Sequence, residues 1–172
     1  MQETIEGRPL SDEEIVSILR NWTVGELGTI SASIGILMNY LALNPELQAR
    51  LRDEPSLLTA AIDEILRLDA PLMSNRRITT CPVDIGGRHL AAGQRLTILW
   101  GSANHDEAVF GNPYEVKLDR DPKDNLLYGA GIHVCPGAPL ARMELQFFME
   151  ALLEATVELA PIPGRLAIRA LY

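Results

Sequence analysis

Cys135 stands near the end of Tyr128-Gly-Ala-Gly-Ile-His-Val-Cys-Pro-Gly137, a glycine-rich stretch that leads into an apolar helical pattern, Ala138 to Ala160. These residue types can present one thiolate to a metal. Gly129, Gly131 and Gly137, with Gly111 marking a turn upstream, open backbone conformations closed to other residues and let a flat ligand come close to the chain. A helix starting near Gly137 directs unpaired N–H groups and the positive end of its dipole at the sulfur, which favours thiolate over thiol. His133, two residues earlier, can reach an acidic group of such a ligand. Two other uses of the thiol stay open: a structural cysteine in a turn, and a nucleophile with His133 as its base. A Cys-x-x-Cys zinc site is excluded, because the other cysteine, Cys81, is far away in sequence and no second ligand cluster exists.

Three more constellations carry polar chemistry in apolar surroundings. Glu64-Ile-Leu-Arg67 sets a carboxylate and a guanidinium on one helical face, either as a solvated ion pair or as a structural lock. Arg76 and Arg77 lie in a β-rich segment, where an arginine fork suits a carboxylate and the plain alternative is a sheet-edge arginine. Glu26 and Thr29 fall in the middle of a long apolar helix. There the Thr29 hydroxyl can bond back to a carbonyl one turn earlier.

The elements that must position these groups follow from local signals. Ser11-Asp-Glu-Glu14 is a capping box, and the apolar run behind it continues to Leu43 before Asn44-Pro45 stops it, so one long helix is predicted. Its centre, Val24 to Ser33, is rich in Gly, Ser and Thr and is expected to kink or open. A short helix over Pro45 to Arg52 follows, then a third opened by Pro55, with Leu58, Ala61, Ile62, Ile65 and Leu68 on one face. Arg76 to Thr80, Val83 to Gly87 and Gln94 to Trp100 alternate as strands of a small antiparallel sheet, with Cys81 in a turn between strands. A long Asn-, Asp-, Pro- and Gly-rich loop, Gly101 to Leu127, counts against a self-sufficient compact domain unless it wraps a ligand. The helix after Cys135 should end before Pro161.

A chain of 172 residues, 47 % of them apolar, can form one domain with a sizeable core. Its 15 basic against 23 acidic residues argue against nucleic acid and against an anionic membrane surface. No run is expected to reach membrane-spanning length, and the N-terminus is acidic, so the expectation is a soluble, cytoplasmic protein without a membrane partner.

Together these segments resemble the cytochrome P-450 monooxygenases. The cysteine loop matches the family pattern aromatic-Gly-x-Gly-x-His-x-Cys-x-Gly at every fixed position, with Tyr128 in the aromatic place. Glu64-x-x-Arg67 precedes it in the family's order, and Ala103 to Phe110 is similar to the family's Ala-Asn-Arg-Asp-x-x-x-Phe, with His105 in the arginine place. The resemblance implies a mainly α fold with small β-sheets, with haem b (iron protoporphyrin IX) sandwiched between the long helix and the helix after Cys135. Cys135 would be the iron ligand, Gly129 and Gly137 would make room in its loop, Arg77 and His133 would grip the two propionates, with Arg76 a lesser candidate, and Glu64 with Arg67 would hold the long loop.

The same resemblance places Thr29 on the threonine of the family's Ala/Gly-Gly-x-Asp/Glu-Thr motif, as the hydroxyl that steadies dioxygen or an ordered water. Gly28 falls on the acid, which is therefore missing, and Glu26 is the substitute proton relay. That relay requires a local opening of the helix at Gly25 or Gly28. Glu115 stands where the family places the third member of the Glu-x-x-Arg lock, leaving Arg120 as the candidate. The implied reaction inserts one oxygen atom of O2 into a small apolar organic substrate, using electrons from a ferredoxin or flavin reductase. Ile18 to Val24 and Pro71 to Asn75 would line the pocket. Residues 1–172 would form a single partial domain, a C-terminal fragment running from the oxygen-binding helix to just past the helix after Cys135, inactive alone. The alternatives are a haem-binding protein without oxygen-activating turnover, and an inactive fragment that acts as an interaction module.

Overall fold

The computed structural model describes residues 4–165, so Leu171 and Tyr172, the end of the stretch that resembles the family, lie outside the described residues. The chain opens with a hairpin of β1 (Thr4–Ile5) and β2 (Arg8–Pro9), which the sequence reading did not anticipate. Arg8 places its guanidinium 2.8 Å from both oxygens of Glu14 and so ties this hairpin to the first helix. Ser11 is the N-cap of α1 (Asp12–Val24), with both halves of the capping box formed. Three carboxylates in the first turn complement the helix dipole.

The predicted long helix is present and opens at its centre. α1 passes into a π-helical turn, Gly25–Thr29, and continues as α2 (Ile30–Leu43). Two glycines within five residues, with a Thr hydroxyl to bond a loosened carbonyl, make such a wide turn accessible. The run Asp12–Leu43 is also long and apolar enough to cross a membrane by length and composition, which corrects the expectation that none would be; Leu27 to Pro45 contains no charged residue. Here α2 instead turns Ser33, Leu37 and Leu41 into the protein core.

Pro45 starts α3 (Pro45–Asp53), and a 3-10 turn at Pro55–Leu57 leads into α4 (Leu58–Leu68). Leu58, Ala61, Ile62 and Ile65 of α4 pack with Leu37, Leu41 and Leu51 against Leu145, Met149 and Leu153 of α7 (Ala138–Ala155). This single cluster fixes the long helix relative to the helix that follows Cys135. α7 ends at Ala155, short of the anticipated Ala160, where Thr156 becomes extended and Arg52 donates to the carbonyls of Leu153 and Thr156.

The β region divides into two pairs instead of one sheet. β3 (Ser74–Ile78) runs antiparallel to β6 (Arg95–Leu99), while β4 (Val83–Ile85) and β5 (Arg88–Leu90) form a separate hairpin across Gly86-Gly87. The long loop after β6 contains the short helices α5 (Trp100–Ala103) and α6 (Glu107–Phe110) and a 3-10 turn at Pro122–Asp124. The observed class is mainly α with small sheets.

Candidate functional site

The cysteine loop is built by its own backbone. The Cys135 N–H donates to the Tyr128 carbonyl at 2.8 Å, Val134 N–H donates to Gly131 O, and α7 begins with Ala138 N–H bonded to Cys135 O. Gly129 has φ +76°, and a Cβ there would stand 3.3 Å from the His133 carbonyl, so both conformation and contact demand glycine. Gly137 is different from expectation: its φ is an ordinary −84°. A Cβ at Gly137 would stand 3.7 Å from Cys135 Sγ, so the missing side chain keeps the wall beside the sulfur low.

Cys135 is exposed, against the reading of a buried structural thiol, and no hydrogen bond joins it to His133 among the described residues. It opens into a cavity of about 490 Å³. Gly25, Glu26 and Thr29 of the π turn line the same cavity, as do Arg77, Gly129, His133 and Gly137. The candidate residues, spread over more than 100 positions of sequence, are thus brought to one place. A second groove, of about 520 Å³ between Tyr40, Arg50 and Lys117, contains none of them.

Within the π turn, the Thr29 hydroxyl donates to the Gly25 carbonyl, and Ser33 Oγ donates to the Thr29 carbonyl at 2.7 Å. Thr29 thus makes the back-bond weighed as the plain alternative while still facing the cavity. Glu26 lines the cavity and Gly28 does not, both within the π-helical turn. Glu26 lies within hydrogen-bonding reach of Glu144 on α7, whose carboxyl is raised first by desolvation and then by that contact.

On β3, Arg77 faces the cavity while Arg76 is exposed, which decides between the two arginines as wall residues. Asn75, the last residue of the Pro71 to Asn75 segment expected to line the pocket, does line the cavity, and so does Trp100, to which the sequence assigned no role. The alternation of β3 was the available signal, since positions 75 and 77 share a face. Pro71, Leu72, Ile18, Asn21 and Trp22 complete the wall from the two segments named as pocket-lining by resemblance. His105 sits elsewhere, bonded to Gly101 O at 2.6 Å and packed on Tyr114.

Glu64 and Arg67 are buried and bidentate, at 2.8 and 2.9 Å. Arg67 also donates to the carbonyls of Asn104 and Pro113, at 2.6 and 2.8 Å. Arg120 donates to Glu64 Oε1 at 2.8 Å and to the carbonyls of Phe110, Asn112 and Glu115. Glu115 contributes only its backbone to this contact, so Arg120 completes the lock. Phe110 packs under both guanidiniums, 4.7 and 5.6 Å from its ring centre.

A family profile described as Cytochrome P450 matches residues 1–162. The chain belongs to the cytochrome P450 family. It is 35 % identical over 155 residues to a steroid C26-monooxygenase of Mycobacterium tuberculosis, covering 90 % of this chain and 42 % of that protein. It is 36 % identical over 147 residues to cytochrome P450-terp of a Pseudomonas species, covering 84 % of this chain and 34 % of that protein. Among solved structures, HmtN, a hydroxylase of himastatin biosynthesis, superposes with a TM-score of 0.89 at 34 % identity, covering 95 % of this chain and 44 % of HmtN. CYP109E1 from Bacillus megaterium, in complex with corticosterone, gives 0.87 at 32 % identity, with 95 % and 44 % covered. The chain spans less than half the length of these relatives.

The cofactor implied for a cytochrome P450 is haem, and the residues present fit it. No three His, Cys, Asp or Glu side chains gather as a metal cage among the described residues, so a metal at Cys135 must bring its other ligands with it, as an iron porphyrin does. Arg77 and His133 line the same cavity and supply the donors that two carboxylates need. The Tyr128 hydroxyl beside the cysteine loop is buried without a hydrogen-bond partner among the described residues; burial first, then the Asp63 carboxylate, push it up to about 12. Arg142, paired with Asp63 at 3.1 Å, covers the Tyr128 ring at 4.5 Å and seals that side of the P450 loop.

Proposed function

We propose that this chain supplies the haem-binding and oxygen-facing part of a cytochrome P450 monooxygenase. The observation that carries the reading is the single cavity lined by Cys135, Arg77, His133, Glu26 and Thr29. Haem b, when bound there, supplies the activation of O2. Cys135 would be its thiolate ligand, and Arg77 and His133 would hold its carboxylates by charge-assisted hydrogen bonds. Glu26 would carry a proton on its carboxylate, at an opening of the helix that also gives water a place to bond. Thr29 would orient that water through its hydroxyl, exchanging its bond to Gly25 O. Ile18, Trp22 and Leu72 offer the apolar wall that excludes bulk water and receives an apolar substrate.

The relatives support a small to mid-sized apolar organic substrate. A steroid C26-monooxygenase and a P450 crystallised with corticosterone make a steroid the first class to screen. Two electrons would come from a ferredoxin or flavin reductase. A net charge of −8 supports work in the cytoplasm away from anionic membrane surfaces. Residues 1–172 would act as one partial domain of the whole protein, inactive alone, because α1 buries none of its residues and exposes Ile15, Ile18, Leu19 and Trp22.

One observation favours a second reading, haem binding without oxygen-activating turnover: Gly28 occupies the acid position and the Thr29 hydroxyl is already bonded to Gly25. Product formation coupled to electron supply, measured on the whole protein, separates the two. The first experiment is the absorption spectrum of the reduced, CO-bound whole protein. A strongly red-shifted Soret band, lost in Cys135→Ser and kept in Cys81→Ser, is the expected result; a band that survives in both variants would refute the assignment.

A further inference from the structure

We propose that Asp63, Asn125 and Arg142 are positioning residues that fasten both flanks of Cys135 to α4 and so hold its thiolate; the proposal rests on the haem-thiolate reading above. On the upstream flank the Asn125 amide uses both of its ends. Its NH2 donates to the Asp63 carbonyl at 2.9 Å, and its Oδ1 accepts the Leu127 N–H at 2.9 Å. A carbonyl only accepts and a backbone N–H only donates, so the orientation of this amide is fixed by its partners. The neighbouring Leu126 N–H is taken by Asn104 Oδ1 at 2.8 Å, and the Leu126 carbonyl takes the Gly129 N–H. Leu126 and Leu127 are thereby held just before Tyr128, whose carbonyl is the acceptor of the Cys135 N–H. A displaced Tyr128 carbonyl therefore displaces the cysteine.

On the downstream flank the same Asp63 acts through its carboxylate. Arg142, early in α7, places Nε 3.1 Å from Asp63 Oδ2. Its guanidinium also lies over the Tyr128 ring at 4.5 Å, so the contacts close a circuit from Asp63 through Asn125, the loop, Tyr128 and Arg142 back to Asp63. Burial raises the Asp63 carboxyl above its usual range and Arg142 opposes that rise, so the carboxylate depends on this partner. Among the described residues, Glu64, Arg67 and Arg120 make no hydrogen bond to residues 125–135, so their lock and this clamp are separate. A thiolate that drifts from the N-terminus of α7 loses the dipole that stabilises it, and protonation follows.

The test follows the reduced, CO-bound whole protein in urea below its unfolding transition and reads the rate at which the thiolate-type Soret band gives way to the blue-shifted thiol-type band. Asn125→Ala should speed that conversion about ten-fold, the size of one buried hydrogen bond between neutral groups. Asn125→Asp keeps an acceptor for Leu127 but sets a carboxylate against the Asp63 carbonyl, so it should convert at least as fast as Asn125→Ala. The isosteric Asp63→Asn leaves the carbonyl in place, weakens only the ion pair, and carries the test independently of how Asn125→Ala folds. The Arg142 side chain is 40 % exposed, so water screens this pair and an acceleration of about three-fold is expected. Arg52→Ala removes hydrogen bonds to the Leu153 and Thr156 carbonyls at the far end of α7 and should leave the rate unchanged. A wild-type protein that lacks the thiolate CO spectrum defeats the haem-thiolate reading and this proposal with it. A wild-type thiolate spectrum together with unchanged rates in Asn125→Ala and Asp63→Asn defeats the proposal alone. Equal acceleration in Arg52→Ala reduces the effect to general stability and overturns it as well.

Discussion

Replacing Arg120 by Ala removes the residue that joins the long loop to α4. Four hydrogen bonds go: one to Glu64 Oε1 and three to the carbonyls of Phe110, Asn112 and Glu115, all between 2.7 and 3.0 Å. Glu64 keeps its bidentate partner Arg67, so no buried charge is left alone. The Arg120 side chain is 15 % exposed, which lets water reach part of the gap. The expected cost is therefore about 2–3 kcal/mol, near that of one charged hydrogen bond plus partly rehydrated carbonyls. Glu64→Ala must cost more, about 3–5 kcal/mol, because Arg67 at 0 % exposure would lose its carboxylate.

Urea unfolding of the whole protein reads both values. With a slope of roughly 2 kcal/mol per molar, Arg120→Ala should lower the midpoint by about 1 M at unchanged slope. Arg120→Lys should recover little, since one ammonium cannot reach four acceptors arranged for a planar fork. Limited proteolysis should then cut first between residues 111 and 120. If Glu64→Ala costs no more than Arg120→Ala, the charge argument is wrong.

Gly129→Ala should destabilise the cysteine loop by about 2 kcal/mol through its positive φ and the 3.3 Å contact with the His133 carbonyl, and haem retention should fall with it; unchanged haem retention and stability would contradict this. Glu14 is held at about 2 by Arg8 first and then by the Ser11 N–H, from a usual 4.5. Its folded value is depressed, so its contribution is present above pH 4.5 and is lost as pH falls through about 2; a carboxyl NMR titration should show that midpoint moving up in Arg8→Ala, and an unmoved midpoint would rule out the tie between hairpin and helix. Glu26→Gln should slow oxygen activation with haem binding nearly unchanged, whereas Thr29→Ala should divert electrons to hydrogen peroxide; normal turnover in Glu26→Gln would leave water as the proton carrier.

What the chain determines locally was legible without a structure. The capping box at Ser11, the stop at Asn44-Pro45, the start at Pro45, the apolar face of α4 and the glycine loop before Cys135 all depend on residues within about one turn of each other. The opening of the long helix is local for the same reason, because Gly25, Gly28 and Thr29 weaken the backbone where they stand. Tertiary structure decided the rest, since the partners are remote in sequence. Arg120 reaches Glu64 across 56 positions, and only the folded loop shows that it, and not the side chain of Glu115, completes the lock. Trp100 reaches Asn75 across 25, so the amide's orientation is invisible to spacing. The strands likewise divided into two pairs because β3 found β6 and left the Val83–Leu90 hairpin to itself, a choice of long-range hydrogen bonds that alternation alone does not encode.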